Sequence, residues 1–375
     1  GMTPLAFNSP AAQTTDRCAQ AKIFGNTSRN YYFYFMEKGL DISKRIDGLL
    51  DSIRSIIIDA RKNVAKNINT ELLSTYWKIG KLIIEVESNS NFDQKSSRQL
   101  ILNLSSQLTK ELGSGFSRAN LFNMRKFYLE YQNVQTLSGQ ISWSHYCELL
   151  IIEDKQKRAF YEKETENSNW SVRELKRQID SSLYERLLLS SGRANKETVN
   201  QLARKGQEIA KPDDIVKDPY VFEFLGIPEN KPILEKDLEK KLIRHIEDFL
   251  LELGKGFMFV GSQQRITINN THNYVDMVFY NKILKSYILI ELKTRKLKAS
   301  DAGQLNAYLN FFKTEINDIN DNPPIGIIIC AEKDEIGAEY ILGGYENNVF
   351  ASRFTYVLPN KDELIKELEI ALKDK

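Results

Sequence analysis

A chain of 375 residues with a hydrophobic fraction of 42% has enough apolar material for two or more cores. Lys and Arg number 52 against 50 Asp and Glu, a formal charge of +2 that excludes a globally basic nucleic-acid binder, so any basic surface must be local. Cys18, Cys147 and Cys330 lie far apart without metal-ligand spacing, which excludes a disulfide scaffold and fits a reducing cytoplasm; no apolar run approaches a membrane span.

In chain order, Gly1 before Met2 reads as a tag-cleavage remnant, and no secretory pattern of basic, apolar and small residues follows it. Residues 2–40 are polar, with Pro4, Pro10 and a Thr/Ser/Asn-rich run broken by aromatic residues at 31–35. A poorly ordered arm is expected over 1–40, the aromatic burst being alternatively a helix that docks on a partner subunit. From Asp41 to about residue 211 the pattern is helical. A helix over 42–69 gathers Ile46, Leu49, Leu50, Ile53, Ile57, Ala60 and Val64 on one face, and helices follow over 70–87, 99–112 and 118–132.

The turn at 113–117 is glycine-rich and ends in Ser117, an N-cap for the helix that carries Arg118, Asn120, Asn123, Arg125 and Lys126. A helix, a tight turn and a basic, amide-rich helix read as helix-turn-helix or winged-helix-like, with Arg118, Asn120, Arg125 and Lys126 as candidate nucleic-acid contacts. The same residues are also what a solvated helix face presents. His145, among Trp143 and Tyr146, reads as a structural hydrogen-bonding residue, because no acid, serine or cysteine stands at a spacing that defines a triad. His245 and His272 are unpaired, the latter placed to line a cleft.

Periodicity fades between about 185 and 231, where loop signals place a domain boundary near 212–218 and the apolar cluster 220–225 is expected to pack on the following domain. A helix over 234–253, strands over 257–268, 273–280 and 286–292, and a helix over 300–313 come next. The chain closes with a strand at 325–330, a helix at 334–342, a strand at 354–358 and a helix from about 361.

Charged residues break the apolar strands at three positions: Asp276 in one, Glu291 and Lys293 at the end of the next. Strand alternation puts Glu291 and Lys293 on one face, about 6.6 Å apart along the strand, and turns Leu292 the other way. If the two strands pair with their inner ends aligned, Asp276 lies across from that edge. Two carboxylates and an ammonium at a sheet end suit a hard divalent cation, Mg2+ with Mn2+ as a substitute, and hydrolysis of a phosphodiester. The rival reading is a solvated face or surface ion pair, against which stands the near-continuous apolar run Ile288, Leu289, Ile290 and Leu292. The run 293–298 (Lys-Thr-Arg-Lys-Leu-Lys) is the densest local basic stretch; Arg295, Lys296 and Lys298 form either a rim for a phosphate backbone or an ordinary solvated loop.

Asp276 followed on the next strand by Glu291-Leu292-Lys293 resembles the PD-(D/E)xK nuclease signature. The segments 252–257, 259–261, 276–280 and 302–310, together with 69–80, 115–117, 142–146 and 169–171, resemble the YhcG-like nucleases and their amino-terminal domain. The resemblance implies a metal held by Asp276 and Glu291, a glutamate of the first helix, Glu239 rather than Glu235, touching it directly or through water, Lys293 orienting the attacking water, and Gln304 assisting. Tyr308, one helical turn from Gln304, reads as core. The proline that precedes the aspartate in the superfamily is Val275 here.

The expectation is therefore an α+β chain. Residues 1–40 form an arm, 41–211 a helical DNA- or partner-binding domain, and 212–375 a PD-(D/E)xK restriction-endonuclease-like α/β domain with a central mixed sheet. Its function would be metal-dependent cleavage of DNA in repair, recombination or defence against mobile DNA, with DNA as partner and a homodimer for cutting both strands. The alternative is a catalytically silent binding or scaffolding protein with the same fold. A metabolic enzyme with a nucleotide cofactor is disfavoured by the absence of a strand running into a glycine-rich phosphate loop.

Overall fold

The computed structural model describes residues 25–90, 92–132, 139–190, 195–228, 232–268, 270–343 and 348–373. Its residues fall into two units, 1–67 and 68–375. Helix α1 (Gly25–Asn89) is a single 65-residue helix where two were expected. No Gly or Pro lies between the two expected helices, so nothing interrupts the N–H to C=O ladder. It begins inside the segment expected to be a disordered arm; residues 1–24, and the side chains at 31–35, lie outside the described ones.

Within the second unit, α2 (Gln94–Leu112) starts at Asp93, whose side chain accepts the Ser96 N–H at 2.8 Å. A 3-10 turn at 114–116 leads to α3 (Arg118–Glu130), where the Ser117 hydroxyl accepts the Asn120 N–H at 3.3 Å, the cap expected from the sequence. Helices α4 (Trp143–Leu149), α5 (Lys155–Ser168), α6 (Val172–Asp180), α7 (Leu183–Ser190) and α8 (Lys196–Lys205) complete this part. They enclose a core of Leu73, Ile101, Leu121, Met124, Phe127, Tyr146, Phe160 and Tyr161. Gly80 lets α1 cross α3 at backbone distance, since any Cβ there would collide with the Met124 carbonyl.

The remainder is built on a six-stranded mixed sheet in the order β1-β6-β5-β4-β3-β2. In chain order its elements are β1 (Tyr220–Val221), α9 (Glu235–Arg244), α10 (Ile246–Leu253), β2 (Phe257–Ile268), β3 (Thr271–Asn281), β4 (Ser286–Lys296), α11 (Ala299–Phe311), β5 (Ile325–Glu332), α12 (Glu335–Leu342), β6 (Asn348–Thr355) and α13 (Lys361–Lys373). β2, β3 and β4 form an antiparallel meander, while β4, β5, β6 and β1 run parallel. One face packs Met277, Phe279, Ile288, Ile290 and Leu292 against Leu238, Leu242, Phe249 and Leu253 of α9 and α10; the other packs Val278, Leu289 and Ile328 against Leu305, Tyr308 and Leu309 of α11. Both faces of β4 and β5 are thus covered, which is why their sequences read as unbroken apolar runs.

Three boundaries differ from expectation. The helix expected over 234–253 breaks at His245 (φ −110°, ψ 39°) into α9 and α10. Strand β4 continues to Lys296, and the strand expected at 354–358 lies at 348–355, because Val349, Ala351 and Phe354 are the residues the sheet buries. The cluster 220–225 packs on the sheet as expected, with Phe222 stacked on Phe354 and edge-on to Phe249, each at 5.6 Å.

The helices and the sheet share a buried charge cluster. Glu252 at the end of α10 accepts from Arg186 of α7 (2.6 Å), from Arg177 of α6 (3.3 Å) and from the Val221 N–H (3.1 Å), while Lys217 donates to the Glu252 carbonyl. Burial opposes the charged carboxyl, but Arg186, Lys217 and Arg177 overcome it and hold Glu252 at about 2. Burial brings the Lys217 ammonium down to about 8.

Candidate active site

The antiparallel ladder between β3 and β4 runs from Asn281 opposite Ser286 to Met277 opposite Ile290. Asp276 and Glu291 come next in that register, and there the strands part: β3 continues with β2, β4 with β5. A ladder that opens leaves main-chain N–H groups in need of acceptors, and the carboxylates supply them. The Leu292 N–H donates to Asp276 Oδ2 at 2.9 Å, and the Asp276 N–H reaches Glu291 Oε1 at 3.4 Å. Alternation sends Leu292 into the core facing α9 and α10 and leaves Glu291 and Lys293 on the face of Leu289, where the Lys293 ammonium donates to Glu291 Oε2 at 3.1 Å. Asp276, Glu291 and Lys293 therefore form one cluster in the fork of the sheet.

Helix α9 closes the fork with two carboxylates one turn apart. Glu239 and Asp276 are bridged by the Gln263 side-chain amide, whose Nε2 donates to Glu239 Oε2 at 2.8 Å and to Asp276 Oδ1 at 3.2 Å. Glu235 accepts the Thr294 N–H at 3.2 Å and lies 3.9 Å from the Lys293 ammonium. Both α9 glutamates thus reach the cluster. Gln263 escaped the sequence reading; the only trace is the polar run after Gly261 inside an otherwise apolar strand. It faces Asp276, between the pairs Ser262–Met277 and Gln264–Val275, with φ of 48°, so the backbone is held in the left-handed region at this point.

Burial and then the nearby Asp276 push Glu291 up to about 7 against the pull of Lys293. The same two causes raise Glu239. Asp276 is raised by burial and by Glu235, against the Leu292 N–H and Lys293. For Lys293, burial works against the charge, but Glu291, Asp276 and Glu235 outweigh it and the group is raised, so it remains an ammonium at neutral pH. One ammonium thus serves several carboxylates that repel one another, in a pocket whose donors are all oxygens or an amide. That is a donor set for a hard divalent cation. Among the described residues no three His, Cys, Asp or Glu side chains converge as a preformed metal cluster, and the adjacent pair Asp276 and Glu291 matches the one or two carboxylates that Mg2+ takes alongside water.

Gln304, expected to assist, donates to the Tyr308 hydroxyl at 2.5 Å. Tyr308 is buried against the sheet, as its spacing implied, and burial first, then the charges of Glu291 and Asp276, raise its phenol. In the basic run, Arg295 is held by Asp301 through two 2.8 Å hydrogen bonds, so its charge is largely matched; Lys296 and Lys298 are exposed. The helical candidates divide in the same way. Asn120 uses its amide internally, donating to Gly115 O and accepting from Trp143 Nε1 at 2.7 Å, and Arg125 pairs with Glu87 at 2.8 Å. Arg118 is exposed, its guanidinium 5.7 Å from the Phe122 ring, and Lys126 is half-buried. His145 is structural: Nδ1 accepts the Ser142 N–H at 3.1 Å and Nε2 pairs with the Trp170 carbonyl at 2.9 Å, while His272 meets Thr267 across the β2–β3 hairpin at 3.0 Å.

An Asp on one strand, Glu-x-Lys on the next and a glutamate-bearing helix packed over a mixed sheet define a PD-(D/E)xK nuclease fold. Comparison with known proteins agrees. Residues 213–369 match the family described as the YhcG PDDEXK nuclease domain, and residues 52–186 match the DUF1016 N-terminal domain. An Escherichia coli (strain K12) protein named "Putative nuclease YhcG" is 36% identical over 350 residues, spanning 85% of this chain and 92% of its own. The chain belongs to the YhcG family of PD-(D/E)xK nucleases. Among solved structures, a repair endonuclease from Pyrococcus abyssi matches 34% of this chain at 18% identity with a TM-score of 0.25, and EndoMS in apo form matches 35% at 18% identity with a TM-score of 0.23. In each case the match covers 49%, about half, of the solved chain.

Proposed function

We infer that the chain is a divalent-metal-dependent endonuclease that hydrolyses phosphodiester bonds of DNA in the cytoplasm, in repair, recombination or defence. The observation that carries this reading is the convergence of Asp276, Glu291 and Lys293 in the sheet fork, with the Leu292 main-chain amide fixing Asp276 from one side and Gln263 from the other. Asp276 and Glu291 would hold the cation, Mg2+ or Mn2+, with Glu239 in an outer position. When bound, the ion supplies Lewis-acid polarisation of a phosphate oxygen.

The chain's own residues do the rest. Lys293, kept protonated by its acidic neighbours, orients a water through its ammonium and offsets charge that develops on the phosphate. Being charged, it is not the proton acceptor. Gln304 acts through the Tyr308 hydroxyl, fixing a polar group beside Glu291. Lys296 and Lys298 flank the site and draw the phosphate backbone electrostatically, Arg295 chiefly ordering the start of α11 through Asp301.

We assign 212–375 as the nuclease module and 41–211 as the DNA- or partner-binding module, whose α2–turn–α3 segment is helix-turn-helix-like and presents Arg118 and Lys126. Two copies would be needed to cut both strands with one site per chain. Purified protein incubated with labelled duplex, branched and single-stranded DNA and Mg2+ or Mn2+ should cut, and Asp276→Ala and Lys293→Ala should lose the activity. Cleavage that survives both changes refutes the site, and salt-sensitive binding without cleavage in the wild type favours a silent scaffold.

A further inference from the structure

Among the described residues, a run of exposed apolar side chains lies on α1 within the first unit. Leu50, Ile53, Ile57 and Val64 are 42%, 44%, 46% and 59% exposed, and Ala60 shares their side of the helix. Their intervals alternate three and four residues, the spacing of a heptad seam, so they form one narrow stripe along the helix. Leu49 and Ile56, 60% and 68% exposed, widen it on one flank. Ser55, Asp59, Lys62 and Lys66 lie on the other side of the helix, where Ile58 is also 49% exposed.

We propose that this stripe is a self-association surface on which α1 pairs with α1 of a second copy of the chain. Three observations select that occupant. The seam is a few side chains wide and repeats at 3.5 residues on average, which fits a helix of like curvature. Its polar side carries Asp59 among Arg54, Arg61, Lys62 and Lys66, so it is not the uniformly basic polar face of a helix that lies on anionic lipid. The area suffices: six large aliphatic side chains per copy, about half exposed, with the flanking polar atoms, bring two copies to roughly 1,000 Å² or more of buried surface, the lower bound of a specific interface. No residue of the stripe belongs to the sheet fork, so the inference stands whether or not the chain cuts DNA.

The test is sedimentation velocity of the full chain at micromolar concentrations, with circular dichroism as a check on helix content. The wild type should sediment as a two-chain species. Ile53→Glu/Ile57→Glu places charges in the seam at positions that are exposed in the single chain, so the helix should persist while self-affinity falls about a hundredfold or more. Ser55→Glu, on the far side of the helix, should leave the dimer intact. A wild type that sediments as a single chain overturns the proposal, including one whose stripe is covered by its own residues 1–24 or that cosediments with anionic phospholipid vesicles. A dimer that persists in the double variant also overturns it. DNA cleavage is measured separately, so its loss or survival bears on the sheet fork alone.

Discussion

Arg186→Met tests whether the buried charge cluster is what couples the helical part of the second unit to the sheet. Arg186 is fully buried and donates to both oxygens of Glu252, to the carbonyls of Ser181 and Pro219, and to the Ser181 hydroxyl. Methionine keeps most of the volume and removes every one of these bonds, leaving the buried carboxylate with Arg177, the Val221 N–H and the neighbouring Lys217 charge. Breaking one side of a buried ion pair costs about 3–5 kcal/mol. An independent route gives the same order, since a carboxyl held at about 2 rather than its ordinary 4.5 is worth roughly 3 kcal/mol at neutral pH. The Glu252 contribution is fully present above about 4.5 and disappears as pH falls toward 2, so in urea titrations the variant's deficit should be larger at pH 7 than near pH 3. Arg186→Met/Glu252→Leu should recover much of the loss, because a buried pair replaced by apolar side chains leaves no stranded charge. If Arg186→Met stays within about 0.5 kcal/mol of wild type at pH 7, or the double change is worse than the single one, the cluster does not carry the coupling.

Metal uptake should depend on pH through Glu291. Its carboxyl is raised to about 7, so the stability it contributes in the metal-free protein is present below about 4.5 and lost as pH rises through 7; Mg2+, which takes the charged form, should then raise Tm more at pH 8 than at pH 6, and Glu291→Gln should abolish the difference in thermal melts. Gln263→Ala removes the bridge between Glu239 and Asp276 and should weaken Mn2+ binding about tenfold by calorimetry with little change in Tm; unchanged affinity would show that the bridge does not position the carboxylates. Gly80→Ala should lower Tm by several degrees, because α1 and α3 must separate to admit a Cβ against the Met124 carbonyl, and a melt equal to wild type would contradict that crossing.

What the sequence disclosed follows from how far apart the interacting residues lie. The meander, the site-bearing strands and α11 were legible because strand alternation and the apolar runs are local, and Asp276, Glu291 and Lys293 could be aligned from two neighbouring strands. Glu252 was read only as part of a family segment: its partner Arg186 is 66 residues away, and neither shows in any local pattern. Arg125 and Asn120 looked like an exposed binding face because their spacing was visible and their partners, Glu87 and Trp143, were not. Two helices, 42–69 and 70–87, were expected where α1 is continuous: Asn67, Asn69 and Thr70 are poor helix formers, but a propensity cost of a few tenths of a kcal/mol per residue does not end a helix without Gly, Pro or a competing cap.

The fork also explains why the site needs its supporting residues. An antiparallel ladder that continued past Met277 and Ile290 would turn main-chain amides at this point to cross-strand carbonyls and leave the carboxylates without a fixed orientation. By parting at that pair, the strands make the same amides into donors for Asp276 and Glu291. The cost is the burial of several carboxylates around one lysine: burial first, and their mutual repulsion after it, push Asp276, Glu239 and Glu291 up. Gln263 has no charge to contribute, but its amide reduces the repulsion between Glu239 and Asp276 by donating to both, and its left-handed backbone aims it there. A glutamate at 263 would present a third acceptor to two acceptors. The arrangement therefore calls for a neutral donor at this position, whatever ion or substrate the carboxylates go on to hold.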